Sequence, residues 1–304
     1  MKILVTGGCG FIGFHVVKRL VNDCHEVMVI DNLSTGKIDN LSSFGDRVGI
    51  HIRDIRSIDA EMLKGVDCIL HQAALKSVPK SFLNPTDYFK VNVIDTLDMV
   101  LKAQQAGVKK IVLASSSSVY GEQTVFPEKE DARLVPASPY AASKLGMEHI
   151  AGVYSSDAMP IVCLRYFNVF GENQPADDEY SAVIPKFIRQ LKNDLPVTIF
   201  GDGSQERDFT YVENVVEANV QALMHGSGGV FNVADGFPKS INDLHAHISR
   251  IMGKDIAPCY QDKRIGDIQK THADITKISK ELRWTGKVSF VEGLERTIRW
   301  HLEN

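Results

Sequence analysis

Three glycines at intervals of three, Gly7, Gly10 and Gly13, stand between a short apolar run, KILVT (2–6), and FIGFHVVKRLVN (11–22), whose apolar residues recur at helical spacing. A strand that must turn at once into a helix, through a loop almost without side chains, has few folds open to it. Gly7 can make the tight turn, Gly10 lets the backbone approach a diphosphate, and Gly13 lets the helix pack close to the strand. The helix start then offers free N–H groups to phosphate. The alternation continues along the chain. HEVMVIDNL (25–33), GVDCILHQAA (65–74), KKIVLASSS (109–117) and PIVCLRYFNVFG (160–171) read as strands. KVNVIDTLDMVLKAQQAG (90–107) reads as a helix ending at Gly107, and SPYAASKLGMEHIAGVYSS (138–156) as a helix opening at Ser138-Pro139. Strands alternating with helices of this length predict an α/β fold, a doubly wound parallel sheet with right-handed crossovers and both faces covered.

After Gly171 the pattern changes. Residues 172–182 are polar and loop-like, and a helix over 183–193 precedes PVTIFGDG, a short strand and turn. FTYV (209–212) and GVFNVAD (229–235) look like sheet strands around a helix, and further helices are expected near 241–252, 274–282 and 290–302. We expect a dinucleotide-binding domain over 1–171, with 206–235 returning to it. Residues 172–205 and 236–304 would form a smaller C-terminal α/β substrate domain. The 304 residues suit about two domains. With 34 Lys and Arg against 38 Asp and Glu, the net charge of −4 argues against a nucleic-acid partner. No apolar run approaches the ~18 residues that span a bilayer, so no membrane partner is expected. MKILVTGG is too short for the core of a secretory leader. Five cysteines without a CxxC or Cys/His cluster suggest reduced thiols, a cytoplasmic location and no metal.

Asp31 falls 18 residues past Gly13, at the end of the second strand. A carboxylate there accepts hydrogen bonds from ribose hydroxyls and repels a 2′-phosphate, which favours NAD over NADP. The alternative is that Asp31 only opens a turn with Asn32. Asp54 and Ile55, after another strand, could flank an adenine. Tyr140 and Lys144 are spaced i, i+4 and share one face at a helix start. A phenolate base near neutral pH needs the tyrosine pKa of ~10 lowered by about three units, roughly 4 kcal/mol in favour of the anion. A nearby ammonium and the positive charge of an oxidised nicotinamide could supply it. A surface pair on a helix is the bland alternative. The serines 115–118 close a parallel strand at the end where such sheets hold ligands, and a hydroxyl there can share the same substrate oxygen.

TGGCGFIG, Asp31-Asn32-Leu33, HQAA (71–74), SSSSVYGE (115–122), SPYAASK (138–144), RYFNVFG (165–171) and GDGSQERDFTYV (201–212) together resemble the extended short-chain dehydrogenase/reductase family, and in order and extent its nucleotide-sugar epimerases. The resemblance implies a Rossmann domain holding NAD through Gly7, Gly10, Phe11, Ile12 and Gly13, then Asp31 and Asn32. It adds Ser34, Thr35 and Gly36, places Asp54 and Ile55 near the adenine, and adds Ala73, Ala74, Lys76 and Asn92, beside Tyr140 and Lys144. It also implies a catalytic Ser116, four residues before Tyr120, with Ser115 or Ser117 as alternatives. Family dehydratases typically carry Asp and Glu in the next two places, and decarboxylases usually an acid. Here Ser117 and Ser118 cannot act as a carboxyl acid–base pair, so epimerisation is favoured.

The resemblance assigns the second half to a UDP-sugar. Arg207 and Arg264 match positions that bind diphosphate oxygens, to which forked guanidinium donors are suited. Asn168 matches a diphosphate or sugar contact, and Lys76, Ser116 and Tyr140 reach the substrate. Asp267 matches a ribose contact, and the backbone from Val197 to Phe200 would lie along the base. Thr271 stands where a tyrosine would crowd an N-acetyl group, and a smaller residue admits it. HQAALKSVPKS (71–81) is similar to epimerases of N-acetylated sugars, although Lys80 stands where arginine is common. The expected activity is interconversion of UDP-glucose with UDP-galactose, and of the two UDP-N-acetylhexosamines. The family also implies a homodimer through helices 90–107 and 138–156.

Overall fold

The computed structural model describes residues 1–176, 182–263 and 268–304. Strand β1 (Lys2–Thr6) sends Ile3 and Val5 into one apolar cluster and Leu4 into another, and all three are fully buried. Apolar residues on both sides of a strand mean a sheet covered on both faces. Helix α1 (Phe11–Asn22) follows, laying Val16, Val17 and Leu20 on the first face. Each such side chain contributes roughly 1.5–3 kcal/mol by leaving water. The chain continues through β2 (Glu26–Asp31), β3 (Val48–Ile52) and β4 (Cys68–His71). Two short helices, α2 (Val78–Leu83) and α3 (Pro85–Phe89), lead to α4 (Thr96–Ala106), β5 (Lys110–Ser116), α5 (Pro139–Tyr154) and β6 (Ile161–Tyr166).

Beyond β6 come β7 (Val169–Phe170), α6 (Val183–Lys192), β8 (Thr198–Phe200), β9 (Glu206–Arg207) and β10 (Thr210–Tyr211). Helix α7 (Val212–Met224) and β11 (Gly229–Val233) follow, then β12 (Lys239–Ser240), α8 (Ile241–Met252), β13 (Cys259–Gln261), α9 (Thr276–Glu281) and α10 (Phe290–Glu303). Seven strands form one parallel sheet in the order β11-β6-β5-β4-β1-β2-β3. The order reverses between β1 and β4, so the carboxyl ends of these two strands open a crevice, the place where doubly wound sheets hold ligands. Strand β11 pairs with β6, returning the chain to the main sheet after its excursion. A separate apolar cluster joins α6, α8 and α10, with Phe187, Leu191, Leu244, Ile248 and Leu294 at its centre.

The expected helix boundaries hold closely, because their caps are explicit. Ser138 Oγ accepts the Ala141 N–H at 3.1 Å with Pro139 in the first turn, and Gly107 closes α4 at φ +76°. The helix expected over 90–107 differs at its start, where Lys90–Asp95 form a π-turn. The wider turn brings Asn92 inward, and its amide bonds to both the N–H and C=O of Leu75 and to Ser143 Oγ. The sequence reading has no counterpart for α2 and α3, two helices of six and five residues too short to show a periodicity. Among the described residues no helix is long and apolar enough to cross a membrane.

Candidate active site

A cavity of about 1120 Å³ opens at the reversal point between β1 and β4. Its floor is the glycine turn. Gly7 sits at φ +69°, and a Cβ there would lie 2.7 Å from the Ala73 nitrogen. A Cβ on Gly13 would lie 2.0 Å from the Gly7 carbonyl oxygen, so only glycine lets α1 start this close to β1. A Cβ on Gly10 would meet only that oxygen, at 3.3 Å, and otherwise project into open space. Gly10 is also the N-cap of α1 and gives it no side-chain cap, so the first-turn N–H groups are left for a ligand. This cradle fits a dinucleotide diphosphate.

Asp31 holds the loop and stands at the cavity. Its carboxylate accepts the N–H groups of Cys9 at 2.9 Å and Leu33 at 2.8 Å, which shapes the loop, and it also lines the cavity. Asn32, Ser34, Thr35, Asp54 and Ile55 line the same end. Ala73, Ala74 and Lys76 line the side formed by β4. Two expected cofactor residues do not reach the cavity. Gly36 packs on Cys9, where a Cβ would lie 2.8 Å from main chain, and Asn92 is buried in its clamp on Leu75. Arg53, Gln72 and Gln174 line the cavity without having been expected to. Gln72 belongs to a buried network, giving its amide to Asn219 and taking the Tyr166 hydroxyl at 3.2 Å. A carboxamide in a strand-end loop carries no distinctive spacing, which is why the sequence did not mark it.

Ser116, Tyr140 and Lys144 come together at the end of β5 and the first turns of α5, all on the cavity wall. Ser115 is turned inward, its hydroxyl donating to Glu148, which also binds Arg165 through two hydrogen bonds of 2.9 and 2.7 Å. Ser115, Ser116 and Ser117 all border the cavity, and Ser116 Oγ accepts from the Ser118 hydroxyl at 2.9 Å. Burial pushes the Tyr140 phenol above its ordinary range, and the hydrogen bond with Ser116 draws it down. Burial lowers the Lys144 ammonium to about 8, and it donates to the Ala114 carbonyl at 2.6 Å. Behind it His71 is buried and pushed down to about 3 by burial and Lys144, a neutral ring bridging Thr6 and Thr96.

The facing wall is assembled from distant segments. Asn168, Arg207 and Thr271 all line the cavity. Asn168 Nδ2 donates to the Asp208 carbonyl and to Thr271 Oγ1, each at 3.2 Å. Asp208 is wholly buried, and its carboxylate accepts N–H groups from Asp235, Gly236 and Ala273. Burial nevertheless raises it to about 7. Glu128, also buried and raised to about 7 by burial, holds the neighbouring His272 N–H at 3.0 Å. Two buried carboxyls thus grip the segment just after Thr271. Val197 lies in the apolar cluster of the second half, and Phe200 lies under the Lys186 ammonium; neither lines the cavity. Arg264 and Asp267 fall outside the described residues.

The profile of the NAD dependent epimerase/dehydratase family matches residues 3–234. A putative UDP-glucose 4-epimerase of Methanocaldococcus jannaschii is 37% identical over 306 residues, covering 99% of each chain. Among solved structures, the UDP-N-acetylglucosamine 4-epimerase of Methanobrevibacter ruminantium M1, in complex with UDP-N-acetylmuramic acid, is 39% identical. It superposes with a TM-score of 0.95 over 99% of this chain and 98% of that one. The UDP-glucose 4-epimerase of Thermotoga maritima with UDP-glucose is 36% identical, with a TM-score of 0.92 over 100% and 99% of the two chains.

Proposed function

The chain belongs to the NAD dependent epimerase/dehydratase family, and from that premise we propose that it interconverts UDP-glucose with UDP-galactose and UDP-N-acetylglucosamine with UDP-N-acetylgalactosamine. It is an NAD-dependent nucleotide-sugar 4-epimerase, an isomerase; the sugars are our reading. One observation carries it: Ser116, Tyr140 and Lys144 share a single cavity with the glycine cradle and with Asn168, Arg207 and Thr271.

The glycine cradle and Asp31 would hold NAD, which when bound would supply the hydride chemistry and a positive charge. Tyr140 takes the proton of the 4-hydroxyl and later returns it. The Ser116 hydroxyl bonds the developing oxygen and, through Tyr140, favours the phenolate. Lys144 spends one of its three N–H groups on Ala114, leaving two for ribose hydroxyls and its charge for the phenolate. Arg207, on the cavity wall, would hold the diphosphate. The cavity, at about 1120 Å³, would leave room for the sugar to turn and present its other face. Ser117 and Ser118 stand on the cavity wall where water loss would call for carboxyls, which supports epimerisation over dehydration.

Thr271 supports acceptance of acetylated sugars, being a small side chain on the wall. Purified protein incubated with UDP-galactose and UDP-N-acetylgalactosamine is expected to yield both 4-epimers, with Thr271→Tyr losing kcat/KM for the acetylated sugar selectively. Absence of turnover of acetylated sugars by the parent would refute that specificity; equal use by the tyrosine variant would refute the pocket argument. Division into a cofactor unit (1–171 with 206–235) and a substrate unit, a cytoplasmic location and a homodimer complete the proposal. The dimer is supported by Ile94 and Val153, 59% and 75% exposed on the two segments expected to pair. Ile94→Glu is expected to halve the mass seen by light scattering, and an unchanged mass would move the interface elsewhere.

A further inference from the structure

Asn168 is held in an unusual way. It leaves β6 at φ +31°, a region that side-chain-bearing residues rarely adopt. Its Nδ2 donates twice, to the Asp208 carbonyl and to Thr271 Oγ1. A main-chain carbonyl can only accept, so the amide nitrogen must face Asp208 and the amide oxygen must face away. Thr271 Oγ1 also receives the Asp208 N–H at 3.1 Å. Asp208 is in turn pinned through its carboxylate to Asp235, Gly236 and Ala273. The amide is therefore locked, with both of its N–H groups used. Asn168 Oδ1 has no partner among the described residues and is not among their sealed, unsatisfied atoms, and Asn168 lines the cavity. This position offers a ligand one acceptor and no side-chain donor.

A diphosphate has only acceptor oxygens and negative charge, so it gains nothing from Asn168 Oδ1. A sugar hydroxyl or an acetamide N–H does. We propose that Thr271 is a positioning residue, whose hydroxyl, together with the main chain of Asp208, locks Asn168 so that its Oδ1 accepts a hydrogen bond from the sugar of the bound nucleotide. The inference rests on the UDP-sugar reading above and deepens it. Thr271 then acts through its hydroxyl on Asn168 as well as through its size, and of the two contacts considered for Asn168 the sugar is retained and the diphosphate dropped.

Thr271→Val keeps the size and shape and removes the hydroxyl. Binding of UDP and of UDP-glucose to the NAD-loaded protein is measured by calorimetry. The variant is expected to bind UDP-glucose about tenfold more weakly and UDP as the parent does, the usual scale for one lost hydrogen bond in a closed site. Thr271→Ser, which restores the hydroxyl, recovers most of the loss. Asn168→Gly tolerates the positive φ, removes the amide and must show the same split between UDP and UDP-glucose, so the outcome does not hang on how Thr271→Val folds. UDP-glucose affinity unchanged in Asn168→Gly, or UDP weakened as much as UDP-glucose, overturns the inference while leaving the epimerase reading intact. A parent that binds UDP but gains nothing from the glucosyl group overturns that reading and this inference with it.

Discussion

The two sides of the cavity are made of different material. The cofactor side is main chain: Gly7, Gly10 and Gly13 lie within seven residues, and their roles come from what a Cβ would strike. The wall proposed for the sugar is side chain: Asn168, Asp208 and Thr271 meet across a separation of 103 residues, held by hydrogen bonds among an amide, a hydroxyl and a main-chain segment. Main-chain geometry suits a ligand part common to many enzymes. Side-chain geometry suits the part that differs, since one substitution can change what it accepts.

The largest effect is expected where the two sides share a residue. Tyr140→Phe keeps the ring that packs edge-on against Tyr88 and removes the proton-carrying oxygen. Turnover is expected to fall about 10²–10⁴-fold, with NAD retention unchanged. Activity within about twofold of the parent would take Tyr140 out of the acid–base role.

The main-chain side is tested by Gly13→Ala against Gly10→Ala. The Gly13 methyl must displace backbone, while the Gly10 methyl projects toward the ligand. Both are expected to lose retained NAD on gel filtration, but only Gly13→Ala should lower Tm, by several degrees. Equal Tm values would mean that the helix start yields more easily than the 2.0 Å approach implies.

The smallest effect concerns the buried carboxyls behind Thr271. Burial raises Glu128 to about 7. Between its ordinary value and about 7 the folded chain holds a proton that the unfolded chain has released, so this group's contribution to stability falls as pH rises through that window. Glu128→Gln has no charge to bury. Its Tm relative to the parent is therefore expected to be higher at pH 8 than at pH 5, by a few degrees. A pH-independent difference would remove that proton from the account.

Legibility in the sequence follows the same divide. The glycine turn, Asp31 and the pair Tyr140 and Lys144 were readable because each is a local spacing on one strand end or one helix face. The caps at Ser138 and Gly107 marked their helix ends for the same reason. The clamp of Asn92 on Leu75 was not readable, because only the fold shows its amide turned that way. Val197 sends its side chain into the core, so whatever it offers a ligand is main chain, which side-chain patterns do not show. That the Ser115 hydroxyl is bound to Glu148 was not readable either, since the partner stands 33 residues away. The lock on Asn168 was invisible for the plainest reason: Thr271 and Asp208 carry ordinary side chains at unremarkable spacings.

In the proposed reaction a hydrogen leaves the sugar C4 and returns to the same carbon within one site. UDP-galactose carrying deuterium at C4 tests it directly, with no nicotinamide cofactor added beyond what the protein retains. The expected product is UDP-glucose with the deuterium still at C4 and none in the solvent, as read by proton NMR. Loss of the label to water during conversion, or no conversion by protein shown to hold NAD, would contradict it.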